Sequence, residues 1–370
     1  MDNKDKIVMM GNDAMGEAAI RCGCKFFAGY PISPQTQILD YLAREMPKRG
    51  CTFLQADSEL GAINMVIGAS IAGERAMVAS SSTGLALMYE AFAAAADGEF
   101  PMLIVDVTRE GAAQTGIKAS QSDYNMLTKS FGDGGLRVPV LCPSTVQELA
   151  ELVGLGFDIA DRYRTPVVIM TEPTTSQTIE AVDFTKIIPN KHYDKTMYTP
   201  SGRDTRPVPG AIRVEDSPHA VTKHTGPEAM QLDNMDHFRD LDEKVKKIGR
   251  EEMICEEYMM EDAEYVIAAF GAPARYGIDS VKDLRTEGYK VGMIRPVMLC
   301  PFPGDVFQKL LPEKIKGVLA VEMCIPVAFY HDVREYVPDA IPVESCATAG
   351  GIIADCDKIE EAFRKYFGNK

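Results

Sequence analysis

Four polar constellations in this sequence have residue types suited to chemistry on a small anion. Ser33 stands between two prolines in Gly29-Tyr30-Pro31-Ile32-Ser33-Pro34-Gln35-Thr36. Glu59 opens an apolar stretch in Asp57-Ser58-Glu59-Leu60-Gly61-Ala62-Ile63-Asn64. Arg109 ends Val105-Asp106-Val107-Thr108-Arg109, and Ser80-Ser81-Ser82-Thr83-Gly84 is a short polar run between apolar ones. Each has an ordinary and a chemical reading. Ser33 caps a helix that begins with Pro34 at its first position, or its hydroxyl and that helix start present donors to a carboxylate. Glu59 faces a helix dipole from the first turn, or, once buried, becomes partly neutral and exchanges a proton near neutral pH. Arg109 forms a salt bridge with Asp106 or Glu110, or clamps a carboxylate or phosphate in bidentate fashion. Residues 80–84 form a plain turn, or bring backbone groups against a ligand.

These side chains need a scaffold, and the sequence predicts one. From residue 6 to 172, short apolar runs alternate with helical patterns. Strands are expected at Lys6–Met10, Lys25–Gly29, Cys51–Ala56, Arg75–Ser80, Pro101–Val107, Val138–Cys142 and Pro166–Met170. Several are β-branched and apolar on both faces, as in strands covered by helices on each side. Ser58–Ser70 places Leu60, Ile63, Ile67 and Ile71 at helical spacing. Ser144 with Gln147 reads as a capping box for a helix to Ala160. The alternation predicts a doubly wound parallel sheet, with ligands at the carboxyl ends of its strands.

The pattern breaks over 173–258, where Tyr198–Arg203 and Arg206–Gly210 carry loop chemistry and His237–Glu257 reads as one charged, exposed helix. This region is expected to be a linker or arm. A second α/β unit follows over 259–370, with strands at Tyr265–Gly271, Lys290–Pro296 and Gly317–Glu322, and Asp357 capping a last helix, Lys358–Tyr366.

Composition narrows the function. The 370 residues carry 54 acidic and 39 basic side chains, a formal net charge of −15, so a basic footprint for nucleic acid is absent. The apolar run Ile7–Met10 is too short for a leader or a membrane span, and a cytoplasmic location is expected. The nine cysteines form no Cys-x-x-Cys pair and read as reduced, mostly buried thiols; no zinc ribbon or cluster-binding run is visible. Gly132-Asp133-Gly134 resembles the start of the motif that holds magnesium and thiamine diphosphate. That motif needs an asparagine some 25–30 residues on, whereas the next one here is Asn190. Asp133 is therefore read as a loop residue, and no metal-ligand spacing is found among the five histidines.

Taken together the motifs resemble one family. "GYPISPQT" is similar to the Tyr-Pro-Ile-Thr-Pro signature of the 2-oxoacid:ferredoxin oxidoreductases. "DSELGAINMVIGASIAGERAMVASSSTGLALMYEA" (57–91) looks like that family's Glu-Ile-Ala-Ala-Ile-Asn segment and following loop. "SQSDYNMLTK" (120–129) and "RPVMLCPFP" (295–303) are most similar to the branched-chain (2-oxoisovalerate) type of α subunit. The resemblance is strong over 7–172 and 262–322 and weak over 173–255.

It implies a pyrimidine-type thiamine diphosphate-binding domain (1–172), the arm, and a transketolase C-terminal-like domain (259–370). It implies that Glu59 hydrogen-bonds N1′ of the cofactor's aminopyrimidine and promotes ionisation of the thiazolium carbon. It implies substrate contacts from Ser33 and Arg109, and cofactor contacts from Tyr30, Pro31, Ile32, Ser82, Thr83 and Gly84. The diphosphate half of the cofactor, with Mg2+, would belong to a β subunit, and [4Fe-4S] clusters to partner subunits including γ and a ferredoxin-like δ. Coenzyme A would accept the acyl group and ferredoxin the electrons. The prolines would fix Ser33 before substrate arrives, which limits the entropy lost on binding. The sequence departs from the family at Ser33 (usually threonine), Glu110-Gly111-Ala112-Ala113 (commonly Gly-Gly-Pro after the arginine), Cys300 (commonly tryptophan) and Cys324–Val327 (usually asparagine, then Gly-Gln). Other roles open to such a chain are a non-catalytic scaffold subunit and a subunit of a non-oxidative thiamine enzyme.

Overall fold

The computed structural model describes residues 6–111, 116–188, 191, 193, 195 and 228–368. The expected loops at 198–203 and 206–210, Asn190, and Ala112 and Ala113 lie outside the described residues. In chain order the strands are β1 Lys6–Met10, β2 Phe26–Gly29, β3 Thr52–Gln55, β4 Ala76–Ser80, β5 Met102–Val107, β6 Val140–Leu141, β7 Pro166–Thr171, β8 Ile179–Asp183, β9 Cys255–Tyr258, β10 Tyr265–Ala269, β11 Val291–Pro296, β12 Met298–Cys300, β13 Gly317–Glu322 and β14 Val343–Ala347.

A seven-stranded sheet runs β12-β6-β7-β5-β4-β2-β3, parallel except for β12. Its central strands are buried on both faces. Met102 and Ile104 of β5 point into one layer, and Leu103, Val105 and Val107 into the other. The chain leaves β2 for β3 on one side and continues through β4 and β5 on the other. The carboxyl ends of β2 and β4 therefore flank a crevice at the topological switch point. A five-stranded sheet, β14-β13-β10-β11-β9, is parallel except for β9. Both domains are thus doubly wound.

Several local expectations are corrected. β1 does not join the parallel sheet; it pairs antiparallel with β8, Val8 opposite Ala181, in a two-stranded ribbon. The charged helix spans Ala229–Glu252, ending before 257, because residues 255–258 become edge strand β9. It is not simply exposed, since Ile248 is fully buried against the first domain. Thr145, not Ser144, caps the helix Val146–Tyr163, accepting from the Glu148 N–H at 3.1 Å; Glu148 returns a bond from the Ser144 N–H at 2.7 Å. Asp355 rather than Asp357 caps the last helix, Cys356–Phe367. In each helix a neighbouring polar residue was better placed to reach the third backbone N–H.

The segment 295–303 joins the domains. Arg295 forks onto Glu148 (2.6 and 2.9 Å), and β12 extends the first sheet beside β6. Cys300, where the family commonly has tryptophan, is buried in this joint. All nine cysteines are unbridged, and six are buried.

Candidate active site

The helix Glu59–Ile71 starts where β3 ends, with Ser58 as its cap, accepting from Gly61 N–H at 3.1 Å. That start places Glu59 in the first turn, only 6% exposed. Its carboxylate has no hydrogen-bond or salt-bridge partner among the described residues. It lies against Gly84: a Cβ there would come within 3.0 Å of Glu59 Oε1. The missing side chain lets the Gly84 backbone close on Glu59 and on the Ser80 hydroxyl, which a Cβ would meet at 2.1 Å. Leu60 breaks the expected apolar stripe, since it is 45% exposed while Ile63 is buried.

Arg109 emerges after β5 and is 8% exposed. Neither salt-bridge partner expected for it is its anchor. Its guanidinium donates to the Ser33 carbonyl at 3.0 Å and to Thr83 Oγ1 at 2.9 Å. The loops that leave β2, β4 and β5 are thereby tied at the switch point. Two of its five N–H donors are used in these bonds, and the buried Nε has no partner.

Ser33 is exposed and does not cap a helix. The helix begins at Thr36 with Gln35 before it, and the Ser33–Pro34 peptide is cis. The loop is held instead by Gln35, whose Nε2 donates to the Tyr30 carbonyl (3.0 Å) and whose N–H donates to the Ile32 carbonyl (3.1 Å). Asn12 grips the Pro34 carbonyl at 3.0 Å. Tyr30 and Pro31 are exposed and Ile32 half-buried, so they form an accessible lip.

Residues 80–84 carry more structure than their sequence suggests. Ser82 adopts φ 35°, ψ −90°, a strained conformation for a residue with a Cβ. Its N–H donates to Asp106 (3.3 Å), its hydroxyl donates to Asp123 (2.5 Å) and accepts from the Arg109 N–H (3.0 Å). Sequence reasoning missed Asp123 and offered Asp106 only as an ion-pair partner for Arg109. Burial raises both carboxyls, Asp123 to about 6; the Asp123 charge raises Asp106 further, while Asp123 is held back by the Ser82 hydroxyl, Asp106 and the Arg109 charge. Only an aspartate inside the most apolar strand hinted at this.

Asp133 is exposed on a turn whose Gly132 (φ 84°) packs on the helix Tyr89–Asp97; a Cβ would meet Ala93 N at 2.5 Å. A cleft of about 850 Å3 opens between the domains beside Ser82 and Thr83. Met126 and the departing segment Cys324–Val327 line it, together with Glu110 and Asp123.

Three comparisons bear on this geometry. The family model for pyruvate flavodoxin/ferredoxin oxidoreductase, thiamine diphosphate-binding, matches residues 17–253, and that for pyruvate:ferredoxin oxidoreductase core domain II matches 263–359. The chain belongs to the 2-oxoacid:ferredoxin oxidoreductases. This subunit is 37% identical over 304 residues to the ketoisovalerate oxidoreductase subunit VorB of Methanothermobacter thermautotrophicus, covering 82% of each. It is also similar to the 2-oxoglutarate:ferredoxin oxidoreductase of Magnetococcus marinus, whose structure holds 2-oxoglutarate, coenzyme A and succinyl-CoA. That likeness has a TM-score of 0.84 at 25% identity and covers 98% of this chain but 65% of the other. A split-gene transketolase, at TM-score 0.57 and 13% identity over 96% of this chain and 97% of the other, shares the fold alone.

The oxidoreductase subunit's second domain has its own switch-point crevice, between β10 and β13, and the first domain fills it. Gln121 donates from Nε2 to the Phe270 carbonyl (3.1 Å) and accepts from the Met323 N–H (2.9 Å). Glu172 accepts from the Ala272 N–H (2.5 Å) at the start of the helix Gly271–Thr286, and burial pushes its carboxyl up to about 8. These groups were also invisible in the sequence, because their partners lie 100 or more positions away. Among the described residues, no helix is long and apolar enough to cross a membrane.

Proposed function

We propose that this subunit supplies the proton-exchanging and carboxylate-orienting half of an active site that oxidatively decarboxylates a branched-chain 2-oxo acid. The observation that carries the reading is Glu59, buried, without a hydrogen-bond or salt-bridge partner among the described residues, and packed against Gly84. A buried carboxylate with no partner is costly unless a ligand completes it. The aminopyrimidine of thiamine diphosphate fits that description, being flat and carrying a ring nitrogen that takes a proton. When bound, thiamine diphosphate supplies the carbon centre that adds to a keto group and accommodates the electrons released with carbon dioxide.

The rest is done by this chain's own side chains. Glu59 holds and exchanges the proton at its carboxylate. Arg109 keeps three N–H donors, including the buried Nε, for a substrate carboxylate. Thr83 and the Ser33 carbonyl fix the guanidinium's plane beforehand. Tyr30, Pro31, Ile32, Ser82, Thr83 and Gly84 form the wall around it, with Ser33 at the mouth.

The lining of the cleft supports the substrate class. Its charged lining side chains are Glu110 and Asp123, and its other walls include Met126, Ile325, Pro326 and Val327. An apolar branched chain suits such a surface, whereas the second carboxylate of 2-oxoglutarate would meet two acidic groups. The name of the VorB relative agrees.

The exposed Leu60 (45%) and Leu87 (62%), close in sequence to Glu59 and Gly84, support docking of a β subunit that carries the diphosphate half and Mg2+. Clusters on γ and δ subunits would pass electrons to ferredoxin, coenzyme A would take the acyl group, and the assembly would work in the cytoplasm.

The test is the co-purified complex assayed by viologen reduction with coenzyme A and a panel of 2-oxo acids. Glu59→Gln should abolish nearly all turnover, and 2-oxoisovalerate should be preferred to pyruvate and 2-oxoglutarate. Unchanged turnover in the variant overturns the assignment of Glu59.

A further inference from the structure

Ser82 is the hinge of the site described above. The residue after it, Thr83, receives Arg109, and the next, Gly84, faces Glu59. Its backbone stands at φ 35°, ψ −90°, a region that strains a residue with a Cβ. Such a conformation persists only where its surroundings over-determine it. Here the surroundings are two carboxyl groups. Asp106, at the end of β5, accepts the Ser82 N–H on Oδ1 and the Thr108 hydroxyl (2.7 Å) on Oδ2. Asp123, from the loop ahead of the helix Tyr124–Thr128, accepts the Ser82 hydroxyl.

The two carboxyls thus converge on one residue, Asp106 on its N–H and Asp123 on its hydroxyl. Two buried carboxyls so placed disfavour a second ionisation, which keeps one proton on the pair. Asp106 is fully buried and Asp123 nearly so. With one proton the pair bears a single negative charge, which the Arg109 guanidinium balances. The other ionisable groups facing the pair are the Cys142 thiol on the β6 side, the Cys324 thiol from the second domain, and Glu110 across the cleft. None of these supplies a second positive charge.

We propose that Asp106 and Asp123 are positioning residues that share one proton and, in that state, lock the Ser82 turn that sets Arg109 and Glu59. This rests on the roles assigned to Arg109 and Glu59 above. Loss of the shared proton leaves two adjacent buried anions against one cation. Their repulsion loosens the bonds to Ser82, and the strained turn relaxes. The site then loses alignment without any change in the residues that touch substrate. Because the groups are coupled, the proton belongs to the pair and not to either aspartate.

The test has two arms. Infrared difference spectra of the isolated full-length chain carrying Glu172→Gln, which removes the other buried protonated carboxyl, should contain a buried protonated-carboxyl band at pH 7, without cofactor or substrate. Asp123→Asn and Asp106→Asn should each remove it. In the complex, kcat/KM for 2-oxoisovalerate should fall on the alkaline side. Asp123→Ala should lose ~10²-fold, the scale of a misaligned site. Asp123→Asn still accepts from Ser82 and can donate to Asp106, so it should recover much of that loss and flatten the alkaline limb. Absence of a band sensitive to these substitutions overturns the shared proton, whatever the activity. An Asp123→Asn profile identical in shape to wild type overturns the lock. Turnover that survives Glu59→Gln while the band behaves as expected overturns only the functional reading on which the lock depends.

Discussion

Replacing Gly84 with alanine should separate the stability of the first domain from its chemistry. The new Cβ would stand 2.1 Å from Ser80 Oγ and 3.0 Å from both Cγ and Oε1 of Glu59. The first contact is impossible, so the Ser80 hydroxyl must turn away. It can, since it has no hydrogen-bond partner to lose. The second contact is merely tight, and Glu59 relieves it by shifting its carboxylate. Overpacking of this kind costs about 1–3 kcal/mol. Alanine in place of glycine inside the helix Thr83–Leu87 returns up to about 1 kcal/mol. The net destabilisation should thus be roughly 0–3 kcal/mol, read from urea unfolding of the chain. Turnover should suffer more, by ~10–100-fold, because a displacement of under an ångström at a proton-transferring group is expensive. A double variant, Ser80→Ala with Gly84→Ala, removes the severe contact and leaves the one with Glu59. It should regain the wild-type urea midpoint while viologen reduction stays low. Full turnover in the single variant, or recovery of both properties in the double one, would refute the claim that Gly84 sets the position of Glu59.

Three further predictions concern the surroundings. Arg109→Lys cannot hold the Ser33 carbonyl and Thr83 together while presenting a planar fork, so KM for the 2-oxo acid should rise ~10–100-fold, read by steady-state kinetics. Gln121→Ala leaves the Met323 N–H and the Phe270 carbonyl buried without those partners, which should cost ~2–5 kcal/mol in urea unfolding. Glu172 has its carboxyl raised from 4.5 to about 8 in the folded chain, so its ionisation penalty is absent at low pH and grows as pH rises between those values. Glu172→Gln still accepts the Ala272 N–H; it should be nearly neutral at pH 5 and stabilising at pH 8.5, on the order of 4 kcal/mol by linkage, as urea midpoints at the two pH values would reveal.

The site was partly legible before the fold. Glu59 stood out because an acidic residue opening an apolar helix either faces a dipole or does chemistry. Arg109 stood out for the same reason at the end of an apolar strand. The caps were displaced by one or two residues at Thr145 and Asp355, because several polar side chains near a helix start can each reach a free N–H. Ser33 was misplaced more seriously. Its prolines suggested a helix start, yet the helix waits until Thr36, and what reaches Arg109 is the Ser33 carbonyl and not its hydroxyl. Local rules name residues able to cap; they do not say which backbone atom a distant guanidinium will find.

The sequence by itself determined the two doubly wound sheets, through runs of apolar residues that must be covered on both faces, and it determined which loops carry charge and hydroxyls. The tertiary structure alone decided what those loops do to one another. The Ser82–Asp123 bond, the Gln121 plug in the second crevice and the Arg295–Glu148 joint all pair residues brought together by chain crossing. Hydrophobic periodicity is a short-range signal, written every second or every third to fourth residue. A buried hydrogen bond between loops has no period, because its partners are chosen by where the strands end in space.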